Sequence, residues 1–600
     1  MVITRYKCIR VFIMLTIVFL FALGVALFVT SYLPFELVKI KIDTFSSSGN
    51  ATLFTESTFK QIVVKLRIVT EALLLFAVVL YRIRQNVQQY ISDMVSSCLS
   101  FSKDLMHYFN ETGIREDTVH HCALFMILLL AIVVRLFFLF QPMRYDEAAT
   151  FTHYASKPLY FGLSNYSFPN NHLFHTFLVH ITCMFLGNQP WVIRLPAFFA
   201  GVLLVPASYV TTRIFYNKYA ALLTAGFVTS SSPLIEYSTN ARGYIMICLQ
   251  FLLILSLARY LMESENSFAW LLFAILSSLG FFTIPIMLYP FGIAVLWLFL
   301  SILSGGKKLS RSLLLKKLFG SLLMTILLTF VIYTPVFITS GLESVIGNKF
   351  VATHSWSFFV TQFSFSLHSV WDQWNRDVPL GLRILFIIGF FISLAFHKRL
   401  TIHCVPLILP TLIWLAAVLA VQRVIPYSRV WLFLLPLYIG VSSSGVRYIF
   451  EAIELKMKSR TSVVFVIVSL ALSLFLSMNA IRIKSILYSQ ETGTFRDAEE
   501  ITIFLKGYLK GGDRVLTAGP SDAPLEYYFN LYGIPVKLLY SNLDSSNRFL
   551  AIVNESGNQT LAGLLKEAGL SLNGLSVPII IKRYGSASLY EIKRDSSNLS

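Results

Sequence analysis

The sequence predicts a mostly α, polytopic membrane protein of about thirteen transmembrane helices, followed by a small C-terminal extracytoplasmic α/β domain. Three observations carry this expectation. Apolar residues make up 56% of the 600-residue chain and charged residues only 13%, where a soluble chain holds about 25% charge. Apolar runs of roughly 17 to 25 residues, the length that crosses a bilayer as a helix, recur along most of the chain. From residue 482 these runs stop, and short apolar strands alternate with charged helices, the pattern of a small α/β domain.

The runs fall at 11–31, 64–82, 122–140, 195–215, 219–236, 244–262, 268–286, 287–303, 318–339, 381–396, 402–421, 429–447 and 461–481. The first follows Arg5, Lys7 and Arg10, is long for a signal-peptide core and lacks a small-x-small cleavage site, so a retained helix is expected. Placing the N-terminus inside puts the basic short loops on one side. They carry Arg213 and Lys218; Lys307, Lys308, Arg311, Lys316 and Lys317; Lys398 and Arg399; and Arg447, Lys456, Lys458 and Arg460. That asymmetry is the positive-inside pattern. The apolar stretch 173–187 is too short to span, and counting it would invert every later loop. It is expected to lie as an interfacial or re-entrant helix within a large external loop, 141–194. A second external loop, 340–380, holds Trp356, Trp371 and Trp374, residues suited to the bilayer interface. The expected domains are therefore 1–121 with two helices, 122–481 as the main membrane domain, and 482–600 outside the membrane.

Basic residues number 49 against 31 acidic ones, a balance that elsewhere points to nucleic acid. Here the last 119 residues are nearly balanced, 13 against 12, so the excess belongs to the membrane part and its loops. No basic-aromatic patch or zinc spacing supports nucleic-acid binding. The six cysteines are scattered without a C-x-x-C pair, which argues against a disulfide framework or metal cluster.

Three polar stretches gather on the side opposite the basic loops. Arg144, Tyr145, Asp146 and Glu147 follow the third run. Adjacent carboxylates at a helix exit are commonly solvated loop charges, but a carboxylate in a partly dry cleft can act as general base. Glu236, Tyr237, Arg242 and Tyr244 follow the fifth run, and Arg423 and Arg429 lie between the eleventh and twelfth. Arginines there can bind phosphate bidentately, or serve as ordinary interfacial charges.

The order of these motifs resembles the C-type glycosyltransferases that use polyprenyl-phosphate sugars, closest to the branch of the aminoarabinose transferase and the protein O-mannosyltransferases. The resembling stretch runs from about 140 to 250. It holds Arg-Tyr-Asp-Glu-Ala at 144–148, Pro-Asn-Asn-His-Leu-Phe-His at 169–175 where relatives often read His-Pro-Pro, Trp191 with Arg194, and Ala-Arg-Gly-Tyr at 241–244. Weaker matches cover 429–436 and Leu-Glu-Tyr-Tyr at 525–528.

The resemblance implies an inverting transfer of a sugar from a polyprenyl-phosphate donor to a glycolipid, glycan or protein acceptor. Asp146 would be the general base, with Glu147 beside it in the catalytic pair. Glu147 and Glu236 would position the base, the acceptor or a cation. Arg242, Arg429 and Arg423 would meet the leaving phosphate, with Arg144 and Arg194 next, and Tyr145, Tyr237 and Tyr244 lining the site. His172 is open between an acceptor contact, a metal ligand and a structural histidine. No cofactor is required, although a divalent metal on Glu147, His172 and Glu236 is compatible with the residue types. The expected location is a bacterial inner membrane with the site facing outward. The competing reading is a transporter or flippase of a lipid-linked saccharide, which would favour midplane charges and related halves. A non-catalytic scaffold is a third.

Overall fold

A chain crossing hydrocarbon must satisfy its backbone groups internally, so apolar runs close into helices. The computed structural model describes residues 2–39, 55–115, 118–305, 310–347, 352–457, 461–491, 493, 495–540, 546–570 and 575–594. Eight of its helical segments are long and apolar enough to cross a membrane: Ile9–Thr30, Thr118–Leu139, Pro190–Phe215, Tyr244–Leu261, Pro285–Ser304, Arg311–Thr339, Ser428–Ala452 and Val463–Ile483. Each matches a run named above. Lys307, Lys308, Lys458 and Arg460 lie outside the described residues.

The other five runs take different forms. Run 64–82 lies inside the 60-residue helix Glu56–Arg115. Three become shorter helices, Ser267–Thr283, Leu380–Ala395 and Ile408–Gln422; the last starts late, two residues beyond Pro406, because proline disfavours helix in the residue before it. Run 219–236 is corrected: it is two helices, Lys218–Ser230 and Ser232–Ser238, separated at the extended Ser231 with Pro233 at the new N-terminus. A proline N–H is missing anyway, so it suits that first turn. The break frees carbonyls of the first helix, and the buried Arg135 takes them, donating to Thr229 O at 3.2 Å and Val228 O at 3.3 Å. The stretch 173–187 forms the 14-residue helix Leu173–Leu186.

The chain divides into two units. One comprises Met1–Glu111 with Asn266–Ala269. In it the helix Val2–Thr30 approaches Glu56–Arg115 closely at Gly24, where a Cβ would meet Leu74 at 2.8 Å. The other unit, Thr112–Glu265 with Trp270–Ser600, contains everything described below. Small residues set helix spacing there too: a Cβ on Gly445 would fall 1.8 Å from Gly389 O, so Leu380–Ala395 and Leu434–Met457 touch backbone to backbone. Such contacts hold helices together where water provides no drive.

The C-terminal sheet has the order β1-β2-β4-β3, with β1 Arg514–Leu516, β2 Arg548–Asn554, β3 Ile579–Arg583 and β4 Ala587–Lys593. Strand β1 runs parallel to β2, and the other two pairings are antiparallel. β2 is buried along six of its seven positions, and its two faces serve two cores. Phe549, Ala551 and Val553 pack with Leu564 and Leu565. Leu550 and Ile552 pack with Leu505, Tyr527 and Phe529, and that core continues into Met143, Ala148, Phe151 and Ile193. The sheet domain thus shares its core with the loop that carries Asp146.

Candidate active site

The site is built on the 144–150 turn. Helix Tyr145–Thr150 starts at Arg144, whose backbone N–H donates to Glu147 Oε1 at 2.8 Å. This folds Glu147 inward, where it is wholly buried. Its second oxygen accepts from Arg194 Nε at 3.0 Å and from Ala241 N at 2.8 Å, and Arg194 Nη2 pairs with the first. Arg194 in turn donates to Leu139 O at 2.8 Å and Pro142 O at 2.9 Å. Every lone pair Glu147 could offer a substrate is engaged. Glu147 and Arg194 together pin three segments, an arrangement that fits the positioning role expected of Glu147.

Glu236, equally buried, is the second pin. It accepts from Arg144 Nη1 at 2.7 Å and pairs with Arg376 Nη2. Arg144 also donates to Gln141 Oε1 at 3.0 Å and Ser489 O at 3.4 Å. So Arg144 too is committed to the scaffold. Arg376 was missed in sequence, its only signal being an arginine in the loop 340–380 that was expected to be external. Its neighbour Asp377, at a positive φ of 63°, accepts from Ser232 Oγ at 2.6 Å and from Ser485 Oγ.

Asp146 takes the opposite course. Its carboxylate is partly exposed, its Oδ2 has no hydrogen-bond partner among the described residues, and the nearest guanidinium, Arg429 Nη2, stands 3.9 Å away. Arg429 is held by Tyr244 Oη at 3.2 Å and Glu491 O at 2.7 Å, and lies over the Tyr427 ring at 4.5 Å. Across Tyr244 stands Arg242, buried, donating from Nη1 to Thr150 Oγ1 and Asn170 O, each at 2.8 Å. Among the described residues it has no carboxylate partner, and its Nε is unbonded. His172 meets Gly243 N at 2.8 Å and Arg242 Nη2 at 3.2 Å, with its ring edge-on to Tyr244 at 5.1 Å. Burial first and Arg242 second hold its pKa well below the usual imidazole range. Tyr237 is buried with its hydroxyl unpartnered among the described residues.

Two expected residues lie apart. Tyr145 bonds Gly493 O through its backbone at 2.9 Å while its side chain packs on the sheet-domain core. Arg423, in a left-handed turn, stacks over Trp356 at 5.7 Å rather than joining Arg429, because its backbone conformation ends the preceding helix and turns the side chain away. The three residues named as compatible with a divalent metal are not gathered as a ligand set. Glu147, His172 and Glu236 face three different guanidinium groups, and no group of three or more metal-binding side chains occurs among the described residues.

The tail reaches this site directly. Tyr528 Oη accepts from Met143 N at 3.2 Å, and Tyr527 donates to Asn188 O. Burial pushes both phenols up from their usual range.

No family model matches the sequence, and no curated protein does. Solved structures do match. ArnT from Cupriavidus metallidurans in the apo state superposes with a TM-score of 0.51 at 13% identity, covering 78% of this chain and 97% of that one. The same protein bound to undecaprenyl phosphate gives 0.50 at 14% identity over the same shares. The archaeal oligosaccharyltransferase AglB from Archaeoglobus fulgidus, in complex with an inhibitory peptide and a dolichol-phosphate, gives 0.46 at 10% identity, covering 80% and 75%. The chain has the C-type glycosyltransferase fold of ArnT, an aminoarabinose transferase.

Proposed function

We propose, from the fold shared with ArnT and the charged residues described above, that this chain is an inverting glycosyltransferase. It moves a sugar from a polyprenyl-phosphate donor to a glycolipid, glycan or protein acceptor at the outer face of a bacterial inner membrane. The observation that carries the reading is a trio of charges: Asp146, whose Oδ2 has no hydrogen bond and stands 3.9 Å from Arg429, and Arg242 and Arg429, which have no hydrogen-bonded carboxylate among the described residues. Asp146 takes the acceptor hydroxyl's proton as that oxygen bonds to the sugar C1. The C1–O bond to phosphate breaks with inversion, and its electron pair leaves on the polyprenyl phosphate. Arg242 and Arg429 meet the charge that accumulates there. A phosphodiester donor would also bring the local charge of two arginines and one aspartate close to balance.

The test is the purified full chain in detergent with undecaprenyl-phosphate sugars and candidate acceptors. A new glycosidic product is expected, lost with Asp146→Asn. Movement of lipid-linked sugar across vesicles with no product from any acceptor would replace this reading with that of a flippase.

A further inference from the structure

We infer that His172 donates a hydrogen bond from Nε2 to the same anionic oxygen that Arg242 binds, in a tautomer set by the backbone of Gly243. The inference rests on the proposed site receiving a donor phosphate, and it assigns the second donor and its atom.

The Nδ1 of His172 lies 2.8 Å from Gly243 N. A backbone amide can only donate, so Nδ1 holds the lone pair and the neutral ring carries its proton on Nε2. Burial keeps the ring neutral, with Arg242 adding to the effect. Yet Nε2 stands 3.2 Å from Arg242 Nη2, and guanidinium nitrogens have only donors. Two N–H groups at that separation cannot satisfy each other. They form a fork, and an oxygen about 2.8 Å from both completes it.

Neighbouring atoms point to the same ligand. Arg242 Nε and both ring nitrogens of His175 are buried with no partner among the described residues. Buried polar atoms are normally bonded, and an anion is the class of ligand that answers a buried guanidinium without a carboxylate.

The motif 241–244 acquires a physical meaning from this. A Cβ on Gly243 would come within 3.2 Å of His172 Nδ1 and 2.7 Å of Thr283 Cγ2, so only glycine lets the amide reach the imidazole. Tyr244 braces the ring from its edge. The same geometry withdraws Nε2 from metal ligation, since a protonated nitrogen has no lone pair to give.

The full chain in detergent, titrated with undecaprenyl phosphate by calorimetry, tests the inference. Asparagine at 172 can keep the Gly243 bond through Oδ1 but has no donor at the Nε2 position, whereas glutamine can place an amide N–H there. His172→Asn should weaken binding about ten- to a hundredfold, the worth of one hydrogen bond to a charged group. His172→Gln should recover most of it. Gly243→Ala should resemble His172→Asn, and combining the two should add little, while a chelator should change nothing. Wild-type affinity in both His172 variants with a loss in Arg242→Ala overturns the histidine's role and leaves the phosphate reading standing. Unchanged affinity in Arg242→Ala as well overturns that reading too. Loss of wild-type binding on chelation makes His172 a metal ligand instead. If the asparagine variant does not fold, a glutamine variant as weak as Arg242→Ala overturns the inference.

Discussion

Arg144, Arg194 and Arg376 differ from Arg242 and Arg429 in a way composition conceals. The first three end on buried carboxylates, Glu236 and Glu147, in contacts that tie together the 144 turn, the helix Pro190–Phe215, the helix Ser232–Ser238 and the loop after Trp374. The other two are held by hydroxyls, carbonyls and rings. The carboxylate facing Arg429 among the described residues is that of Asp146, and its Oδ2 stands 3.9 Å off without a hydrogen bond. A buried ion pair with all its hydrogen bonds made is scaffold. A buried cation whose charge is left uncompensated is prepared for a ligand. The comparison teaches that arginines gathered around one turn are sorted by what already neutralises them.

The sharpest way to break that comparison is at the carboxylates. Asp146→Asn keeps size and most contacts but cannot accept a proton, so transfer should fall about 10²–10⁴-fold with expression and melting temperature unchanged. Equal product formation by an active preparation of that variant would falsify the assignment.

Glu147→Ala should fail differently. It strands Arg194 in the interior, and breaking a buried pair costs about 3–5 kcal/mol. Loss of folded protein in size-exclusion chromatography is expected before any question of rate arises. A well-folded but inactive variant would move Glu147 from the scaffold to the chemistry.

Arg242→Ala and Arg429→Ala should each raise the donor KM about ten- to a hundredfold, the equivalent of roughly 1.5–3 kcal/mol, with little change in melting. Arg194→Ala should do the reverse. Unaltered donor kinetics in both of the first pair would erase the distinction between the two sets.

The smallest effect is a pH slope. His172 and His175 are both buried, and burial followed by Arg242 pushes His175 down to about 3. A histidine whose folded pKa is depressed gives stability that is present above its unfolded value of about 6.5 and lost as pH falls below it. At pH 5.5 the loss should be on the order of 1 kcal/mol per histidine, measurable as a lower unfolding midpoint in detergent than at pH 7.5. His175→Gln should flatten the slope by about half; a slope that persists unchanged would place its origin elsewhere.

Much was legible in the sequence because hydrocarbon imposes a length and polarity that a chain cannot disguise. Eight runs became helices long enough to cross, the short stretch 173–187 stayed a 14-residue helix, and the tail folded into strands and short helices as the alternation after 482 predicted. The motifs around Asp146, Arg242 and Arg429 also came together. Run 219–236 misled because hydropathy averages over Ser231 and Pro233, where the backbone breaks, and Arg135 answers that break from another helix. Arg376 carried no local mark, since it acquires meaning only opposite Glu236, 140 positions away.

Residue types alone therefore determined a membrane-spanning bundle, a polar face and the candidates on it. Only the tertiary structure decided which charge meets which. Asp146 and Glu147 are adjacent and chemically alike, yet one helical turn sends Glu147 into Arg194 and leaves Asp146 Oδ2 without a hydrogen bond, 3.9 Å from Arg429. Pairing depends on distances of a few ångströms between segments far apart in sequence, and Coulomb energies and desolvation both vary steeply over such distances. No reading of local pattern contains that information.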